Sequence, residues 1–297
     1  MLSVLIPLMN LNPIGLAESL AGQLLECGKP FEILISDDSA EAGSSIIAPL
    51  VEKIPGVRYF KRDTPLGRSA NRNFLAREAQ YEFLLFIDGD AGMANDNFIK
   101  NYLCNLSHDT VLCGGTLYQH QPPENIEFML RWKYGRQREQ TDAKSRQKRP
   151  WASFSTFNFL IPAEVFKNIC FDETVNGYGH EDTMFGINLH KRGINILHLN
   201  NGLFHLGLES AMSYLAKMQE SCANLRNLEA RNSFTQEHAK DLSLLITWKR
   251  LRKYDLDGLA ATWFKYRRKS IEKRLCGPRP SMLLLDLYKL GSISSID

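Results

Sequence analysis

Two acidic residues directly follow an apolar segment in the first third of the chain. Asp88 and Asp90 flank Gly89 after the apolar run 81–87. Two carboxylates one residue apart at a strand end can both approach a divalent cation, which would bridge the phosphates of a nucleotide. Gly89 allows a tight backbone between them. A polar turn that ends the strand is the alternative interpretation.

A second acidic pair, Glu181 and Asp182, follows the turn 177–180 and opens a segment with helical spacing of apolar residues. One carboxylate of such a pair can take a proton from an attacking hydroxyl while the other is held in place. Tyr178, between two glycines of the turn, can stack on a sugar ring. Acidic residues also suit the first turn of a helix, so helix capping is the alternative.

Other polar residues extend these two pairs. Asp37 and Asp38 end a predicted strand, where a carboxylate can accept hydrogen bonds from a base or ribose, or can close an Asx turn. Arg68 and Arg72 share one face at the start of a predicted helix. A bound diphosphate would relieve the conflict between these cations and the helix dipole, whereas the alternative is a solvated helix face.

A lone histidine in an apolar run is more often a core residue, so His205 becomes a metal-ligand candidate only because the acidic pair suggests a metal.

The segments that position these residues alternate between strand and helix patterns. Strands are predicted at 2–6, 31–36, 57–60 and 81–87, and helices at 14–27, 46–54 and 69–78. This alternation predicts an α/β fold with a mostly parallel sheet and helices on both faces. Ligands bind beyond the carboxyl ends of such strands, where both early acidic clusters lie. Residues 140–150 are predicted to form a mobile polar loop, either a solvated connection or a lid. After about residue 208 the pattern is helical.

Composition limits the class of protein. The chain is 44% hydrophobic and 23% charged, which is typical of a globular protein. Its 297 residues are enough for one large domain and an appendage. The net charge of +3 is too small to indicate nucleic acid. The six scattered cysteines have no metal-ligand spacing, and we expect reduced thiols. Because we find neither a signal peptide nor a membrane span, we expect a cytoplasmic protein.

The C-terminal region is basic. Residues 248–274 contain ten basic and three acidic side chains, with Trp248, Trp263, Phe264 and Tyr266 interleaved. This pattern predicts peripheral association with the anionic inner face of a membrane, where lipid-linked acceptors reside. A solvated helical face beside a packed aromatic core is the alternative. We expect no nucleic-acid partner, because no motif supports one.

Taken together, these segments resemble glycosyltransferase family 2, with the glycosyltransferase-A fold. The resemblance covers roughly residues 1–210 and rests on the order of the segments 4–7, 35–39, 67–73 and 86–90. The later segment 171–182 is similar to the galactosyltransferase-type C-terminal part of that fold. The resemblance implies a catalytic domain at 1–208, with a nucleotide-sugar half at 1–115 and an acceptor half at 116–208, and a helical C-terminal extension at 209–297.

The resemblance also implies a reaction. It would be the inverting transfer of a UDP-linked hexose or N-acetylhexosamine to a hydroxyl of a glycan or lipid-linked acceptor, in polysaccharide or glycoconjugate synthesis. Asp182 would be the catalytic base and Glu181 its orienting partner. The implied metal ligands for Mn²⁺ or Mg²⁺ are Asp88, Asp90 and His205. The implied donor-binding residues are Pro7, Asp37, Asp38, Arg68, Arg72, Asn73, Asp88 and Gly89. The implied acceptor-binding residues are Tyr178, Gly179, His180 and Asn158.

Two other functions are compatible with part of this pattern. A phosphatase-type hydrolase would use Asp88 as a nucleophile. That pattern usually has Thr or Val where this chain has Gly92, and it lies on the first strand rather than the fourth. A non-catalytic nucleotide- or glycan-binding protein would have lost its acidic residues, whereas both acidic pairs are present here.

Overall fold

A computed structural model describes residues 1–39, 44–174 and 177–296. The described residues form two compact units. Unit 1 contains 1–39, 44–118, 140–174 and 181–207, and unit 2 contains 119–139, 177–180 and 208–296. The last segment of unit 1 thus ends next to the predicted boundary at residue 208, whereas 119–139 and 177–180 group with the C-terminal helices. The functional division into a catalytic domain and an extension stays a prediction.

Unit 1 consists of alternating short strands and helices. Its strands are β1 (Leu2–Leu8), β2 (Phe31–Asp37), β3 (Val57–Lys61), β4 (Phe83–Ile87), β5 (Ala91–Gly92), β6 (Thr110–Cys113), β7 (Thr116–Leu117), β8 (Asn158–Pro162), β9 (Asn195–His198) and β10 (Leu203–His205). Its helices are α1 (Ile14–Glu26), α2 (Ser44–Val51), α3 (Arg68–Glu78), α4 (Phe98–Leu103), α6 (Ala143–Gln147), α7 (Ala163–Ile169) and α8 (Glu181–Lys191). These positions agree closely with the strands and helices predicted up to residue 87.

Among the described residues, seven strands form the main sheet in the order β3-β2-β1-β4-β8-β6-β9. The first four strands are parallel, and β8 is antiparallel to both of its neighbours. On one face of the sheet, apolar side chains of β1, β2 and β4 are buried in a cluster with those of α1. The mostly parallel α/β fold is therefore confirmed. Because β2 and β4 both flank β1, their carboxyl ends bring Asp37, Asp38 and Asp88 to one edge of the sheet.

The prediction of a mobile loop at 140–150 is wrong in part, because α6 forms there. The Asp142 carboxylate caps this helix by accepting a hydrogen bond from Ser145 N at 2.8 Å. Arg146 is buried and donates to the carbonyl oxygens of Gly114 at 3.1 Å and Leu199 at 2.7 Å. A buried guanidinium needs such acceptors. Arg146 therefore anchors a segment whose composition alone suggests solvent exposure.

Unit 2 is helical in its described residues, as predicted for the C-terminal region. It contains a 3-10 turn at Ile126–Phe128, a π-helical turn at Gly135–Glu139, and the helices α5 (Met129–Tyr134), α9 (Ala211–Ala230), α10 (Gln236–Asp241), α11 (Ser243–Lys253), α12 (Asp257–Leu275) and α13 (Met282–Ser294). One apolar cluster joins α5, α9, α12 and α13, and a second surrounds Trp248. Across the described residues, no helix is both long and apolar enough to cross a membrane.

Candidate active site

Asp88 lies at the carboxyl end of β4 and is bound to a buried arginine. Its backbone N–H donates to Phe157 O at 3.1 Å, which fixes the residue directly after the strand. Its carboxylate accepts a hydrogen bond from Arg72 Nη2 at 2.5 Å. The Arg72 side chain, on α3, is only 5% exposed, and its guanidinium also lies 5.6 Å from the centre of the Phe171 ring. Asp88 thus supplies the negative charge that this buried cation needs.

The second acidic pair begins α8 and faces the same helix α3. Arg68, one turn before Arg72, approaches Glu181 with 3.4 Å between Nη1 and Oε1. Burial raises the pKa of Asp182 to about 6, and the neighbouring Glu181 carboxylate acts in the same direction. Hydrogen bonds from Thr183 and the positive charge of Arg72 oppose this rise. A carboxylate with a pKa near 6 is ionised at neutral pH and still basic enough to accept a proton.

Asp90 and His205 are brought together by a small second sheet. β5 pairs with β10 in antiparallel register, with Ala91 opposite His205. The Oδ2 atom of Asp90 therefore lies 3.5 Å from His205 Nε2. The imidazole ring lies near Tyr118 and Phe157, each with its centre 5.4 Å away and nearly parallel to the imidazole, which restricts the ring orientation.

Carboxylate and imidazole donors at this position fit a divalent cation. Such ions often take one or two protein carboxylates and complete their coordination with substrate phosphates and water. Asp88 is instead engaged by Arg72, and no group of three or more His, Cys, Asp or Glu side chains suited to a metal occurs within the described ranges. The pair formed by Asp90 and His205 is thus the protein part of the candidate metal site, and the ligand roles of all three residues stay a prediction.

The first acidic cluster holds the backbone that begins α3. Asp38 is buried, and its two carboxylate oxygens accept hydrogen bonds from the N–H groups of Leu66 and Gly67, both at 2.7 Å. Gly67 adopts φ 83°, a left-handed conformation that favours glycine. Asp37 accepts a hydrogen bond from Tyr59 Oη at 2.5 Å. Asp38 therefore sets the position from which Arg68 and Arg72 project, and its contact with a nucleoside stays a prediction.

Sequence comparison identifies the family. The model of glycosyl transferase family 2 matches residues 3–170. The chain belongs to glycosyl transferase family 2. Among curated relatives, it is 26% identical over 196 residues to hyaluronan synthase of Pasteurella multocida, a match that covers 55% of this chain and 20% of that protein. It is 32% identical over 83 residues to an uncharacterized glycosyltransferase of Haemophilus influenzae, covering 28% of this chain and 33% of that one. The chain thus matches a third or less of the length of these two relatives.

Solved structures agree on the fold of this family 2 chain. The mannosyltransferase PcManGT of Pyrobaculum calidifontis, in complex with GDP-Man and Mn²⁺, superposes with a TM-score of 0.57 at 10% identity, covering 98% of this chain and 85% of that one. TarS of S. aureus superposes with a TM-score of 0.53 at 17% identity, covering 97% and 54% respectively. At these identities the likeness establishes the glycosyltransferase-A fold.

Gly89, which follows β4, lies close to the end of β1 in the family 2 fold. A Cβ atom on Gly89 would lie 2.7 Å from Leu8 Cδ1 and 3.2 Å from the carbonyl oxygen of Pro7. A larger residue at position 89 would therefore require the Leu8 side chain to move and the contact with the Pro7 carbonyl to loosen. The donor-binding roles of Pro7 and Gly89 stay predictions.

Two of the predicted binding residues act in the scaffold. Asn158 is buried, donates to the carbonyl oxygens of Gly115 and Asn201 at 3.3 and 2.9 Å, and accepts from Tyr102 Oη at 2.6 Å. Asn73 donates to Phe171 O and accepts from Phe171 N, both at 2.9 Å. The protein itself engages the polar atoms of both side chains, and Asn73 in this way positions the segment at Phe171. The acceptor-binding role of Asn158 and the donor-binding role of Asn73 stay predictions.

The turn that carries the other acceptor-binding candidates lies in unit 2, where α9 holds it. Asn224 Nδ2 donates to the carbonyl oxygen of Tyr178 at 3.1 Å, and Ser221 Oγ lies 3.2 Å from His180 Nε2. Gly179 and His180 both have positive φ, at 94° and 72°. A Cβ on Gly179 would lie 2.6 Å from Ser221 Oγ. The sequence predicts a helical region after residue 208 but not its contact with this turn, because the contacting residues Ser221 and Asn224 follow the turn by more than forty positions and carry no local signal.

Proposed function

We propose that this chain is an inverting glycosyltransferase that moves a sugar from a nucleoside diphosphate sugar to an acceptor hydroxyl. The observation that carries the proposal is that one face of α3 contacts both acidic pairs. Arg72 binds Asp88 at 2.5 Å and Arg68 lies 3.4 Å from Glu181, so one helix connects the two acidic pairs. One pair is suited to the donor and the other to the acceptor, and a transferase needs both at one site.

Asp182 is the general base of the proposed reaction. It removes the proton from the acceptor hydroxyl, and that oxygen forms a bond to the anomeric carbon on the face opposite the diphosphate. The bond between the anomeric carbon and the diphosphate breaks, and the nucleoside diphosphate leaves with the electron pair. This single displacement inverts the anomeric centre. Glu181, restrained by Arg68, orients the acceptor.

The donor side is formed by the edge of the sheet. Asp37 and Asp38 lie where the nucleoside would bind, while Arg68 and Arg72 supply positive charge for its phosphates. Asp90 and His205, with Asp88 as the third predicted ligand, would hold Mn²⁺ or Mg²⁺, and the bound ion would stabilise negative charge on the diphosphate leaving group. The Mn²⁺ and GDP-Man in the PcManGT structure support a nucleotide sugar and a divalent cation as cofactor.

The donor is proposed to be a UDP-linked hexose or N-acetylhexosamine, and the acceptor a glycan or lipid-linked glycan. The relative named hyaluronan synthase supports a role in polysaccharide or glycoconjugate synthesis. The proposed reaction would take place in the cytoplasm, where nucleotide sugars are available to a glycosyltransferase.

A panel of nucleotide sugars, assayed with and without Mn²⁺ and with glycan acceptors, tests the proposal. We expect metal-dependent release of nucleoside diphosphate from one donor, lost in Asp88→Asn and retained in Asp96→Asn, an exposed acidic control. Release of phosphate from simple esters would favour the phosphatase-type hydrolase. Tight nucleotide binding without turnover for any donor and acceptor would favour the non-catalytic binding protein.

A further inference from the structure

Helix α12 exposes large apolar side chains along one line. Leu259, Trp263 and Tyr266 are 67%, 43% and 81% exposed, and their spacing of four and three residues places them on one face. On the other side of the helix, Phe264 and Ile271 are buried in the apolar cluster of unit 2. The folding of unit 2 therefore uses one side of α12 and leaves the opposite side open.

The same open side carries positive charge. Arg267, Lys269, Lys273 and Arg274 are all exposed. Within the part of the chain that the structure describes, none of these four forms an ion pair with Asp or Glu, whereas the adjacent Arg268 is paired with Glu272 at 2.7 Å. We call the seven side chains Leu259, Trp263, Tyr266, Arg267, Lys269, Lys273 and Arg274 the exposed α12 face.

We propose that the exposed α12 face docks on the surface of an anionic lipid bilayer. An anionic bilayer surface can bind both the basic and the apolar side chains of this face. Lipid phosphates attract the four cations, and the boundary with the acyl chains accepts the apolar side chains. Tryptophan and tyrosine favour that boundary. A second copy of the chain does not fit the same face, because it would bring eight like charges together. The proposal does not depend on the proposed transferase activity.

Charge and apolar contact make separable contributions. Each basic residue near an anionic surface strengthens binding by roughly fivefold at low ionic strength, and added salt screens this contribution. Burial of Trp263 and Tyr266 is insensitive to salt. Removing cations should therefore weaken binding and flatten its salt dependence, whereas removing the aromatic residues should weaken binding and leave the salt dependence in place.

Co-sedimentation of the full chain with vesicles tests the proposal. We expect binding to vesicles of phosphatidylcholine with phosphatidylglycerol and little binding to phosphatidylcholine alone. The double variant K269Q/K273Q should bind the anionic vesicles roughly 25-fold more weakly. The matched control K144Q/K148Q removes another exposed lysine pair four residues apart, in unit 1, and should bind like the unchanged chain. W263S/Y266S should weaken binding and keep the salt dependence.

All substituted positions are exposed, and circular dichroism of each variant checks that the fold is retained. The proposal is overturned if the chain binds both kinds of vesicle equally, or if K144Q/K148Q loses as much binding as K269Q/K273Q. It is also overturned if the chain does not bind vesicles and the substitutions in α12 instead abolish self-association or binding of an RNA oligonucleotide.

Discussion

The guanidinium of Arg72 donates to the carboxylate of Asp88 at 2.5 Å, and its positive charge opposes the rise that burial causes in the pKa of Asp182. One buried cation thus acts on a residue of each acidic pair. Asp88 lies at the end of β4 and Asp182 at the start of α8, 94 positions apart in the numbering of the chain. Arg72 is the residue through which the proposed donor and acceptor sides influence each other.

Replacing Arg72 should affect both stability and pH dependence. Arg72→Ala leaves Asp88 without its partner, and breaking such a largely buried pair costs about 3 kcal/mol of unfolding free energy. The pKa of Asp182 should rise, so the acidic limb of the rate profile should move to higher pH. Urea denaturation and pH–rate profiles measure these effects. Arg77→Ala, an exposed change on the same helix, should alter neither.

Replacing Glu181 should move the pH profile in the opposite direction. The Glu181 carboxylate raises the pKa of Asp182, so Glu181→Gln should lower that pKa and shift the acidic limb to lower pH. In the unchanged protein, activity should fall as the pH drops through about 6, because the base becomes protonated. An unchanged acidic limb in Glu181→Gln would argue against Asp182 as the base.

Asp182 should also reduce stability at neutral pH. Its pKa is raised from 3.8 to about 6 in the folded state, so the folded protein binds more protons than the unfolded chain between these values, and stability falls as the pH rises through that window. Asp182→Asn removes this penalty while Asn can still accept the Thr183 hydrogen bond. We expect a gain of about 2 kcal/mol at pH 7 and little change near pH 3, together with a loss of at least 100-fold in turnover. If Asp182→Asn changed the unfolding free energy equally at pH 3 and pH 7, the result would contradict the raised pKa of Asp182.

Gly207 should determine how Asp90 is placed. A Cβ atom at this position would overlap the Asp90 carboxylate. Gly207→Ala should therefore move the carboxylate away from His205 and raise the Mn²⁺ concentration required for half-maximal activity by roughly tenfold. Gly22→Ala is the control, because a Cβ there contacts nothing within 4 Å. An unchanged Mn²⁺ requirement in Gly207→Ala would remove Asp90 from the proposed ligands.

The sequence predicts the parts of the fold that local patterns encode. Alternating apolar runs predict β1 to β4, and the spacing of Arg68 and Arg72 predicts their shared face. Arg146 was not predicted as a buried anchor, since its acceptors are backbone carbonyls supplied by distant segments. Asn158 also bonds to distant residues, since it donates to the carbonyl oxygen of Asn201 and accepts from the hydroxyl of Tyr102. Contacts of this kind depend on the tertiary structure, and no local periodicity records them.

The anomeric configuration of the product tests the central claim most directly. Once the donor is known, proton NMR of the freshly formed glycoside gives the configuration through the coupling constant of the anomeric proton. Direct attack by an acceptor hydroxyl that Asp182 deprotonates predicts a product inverted relative to the donor. A product of retained configuration would contradict Asp182 as the base of a single displacement.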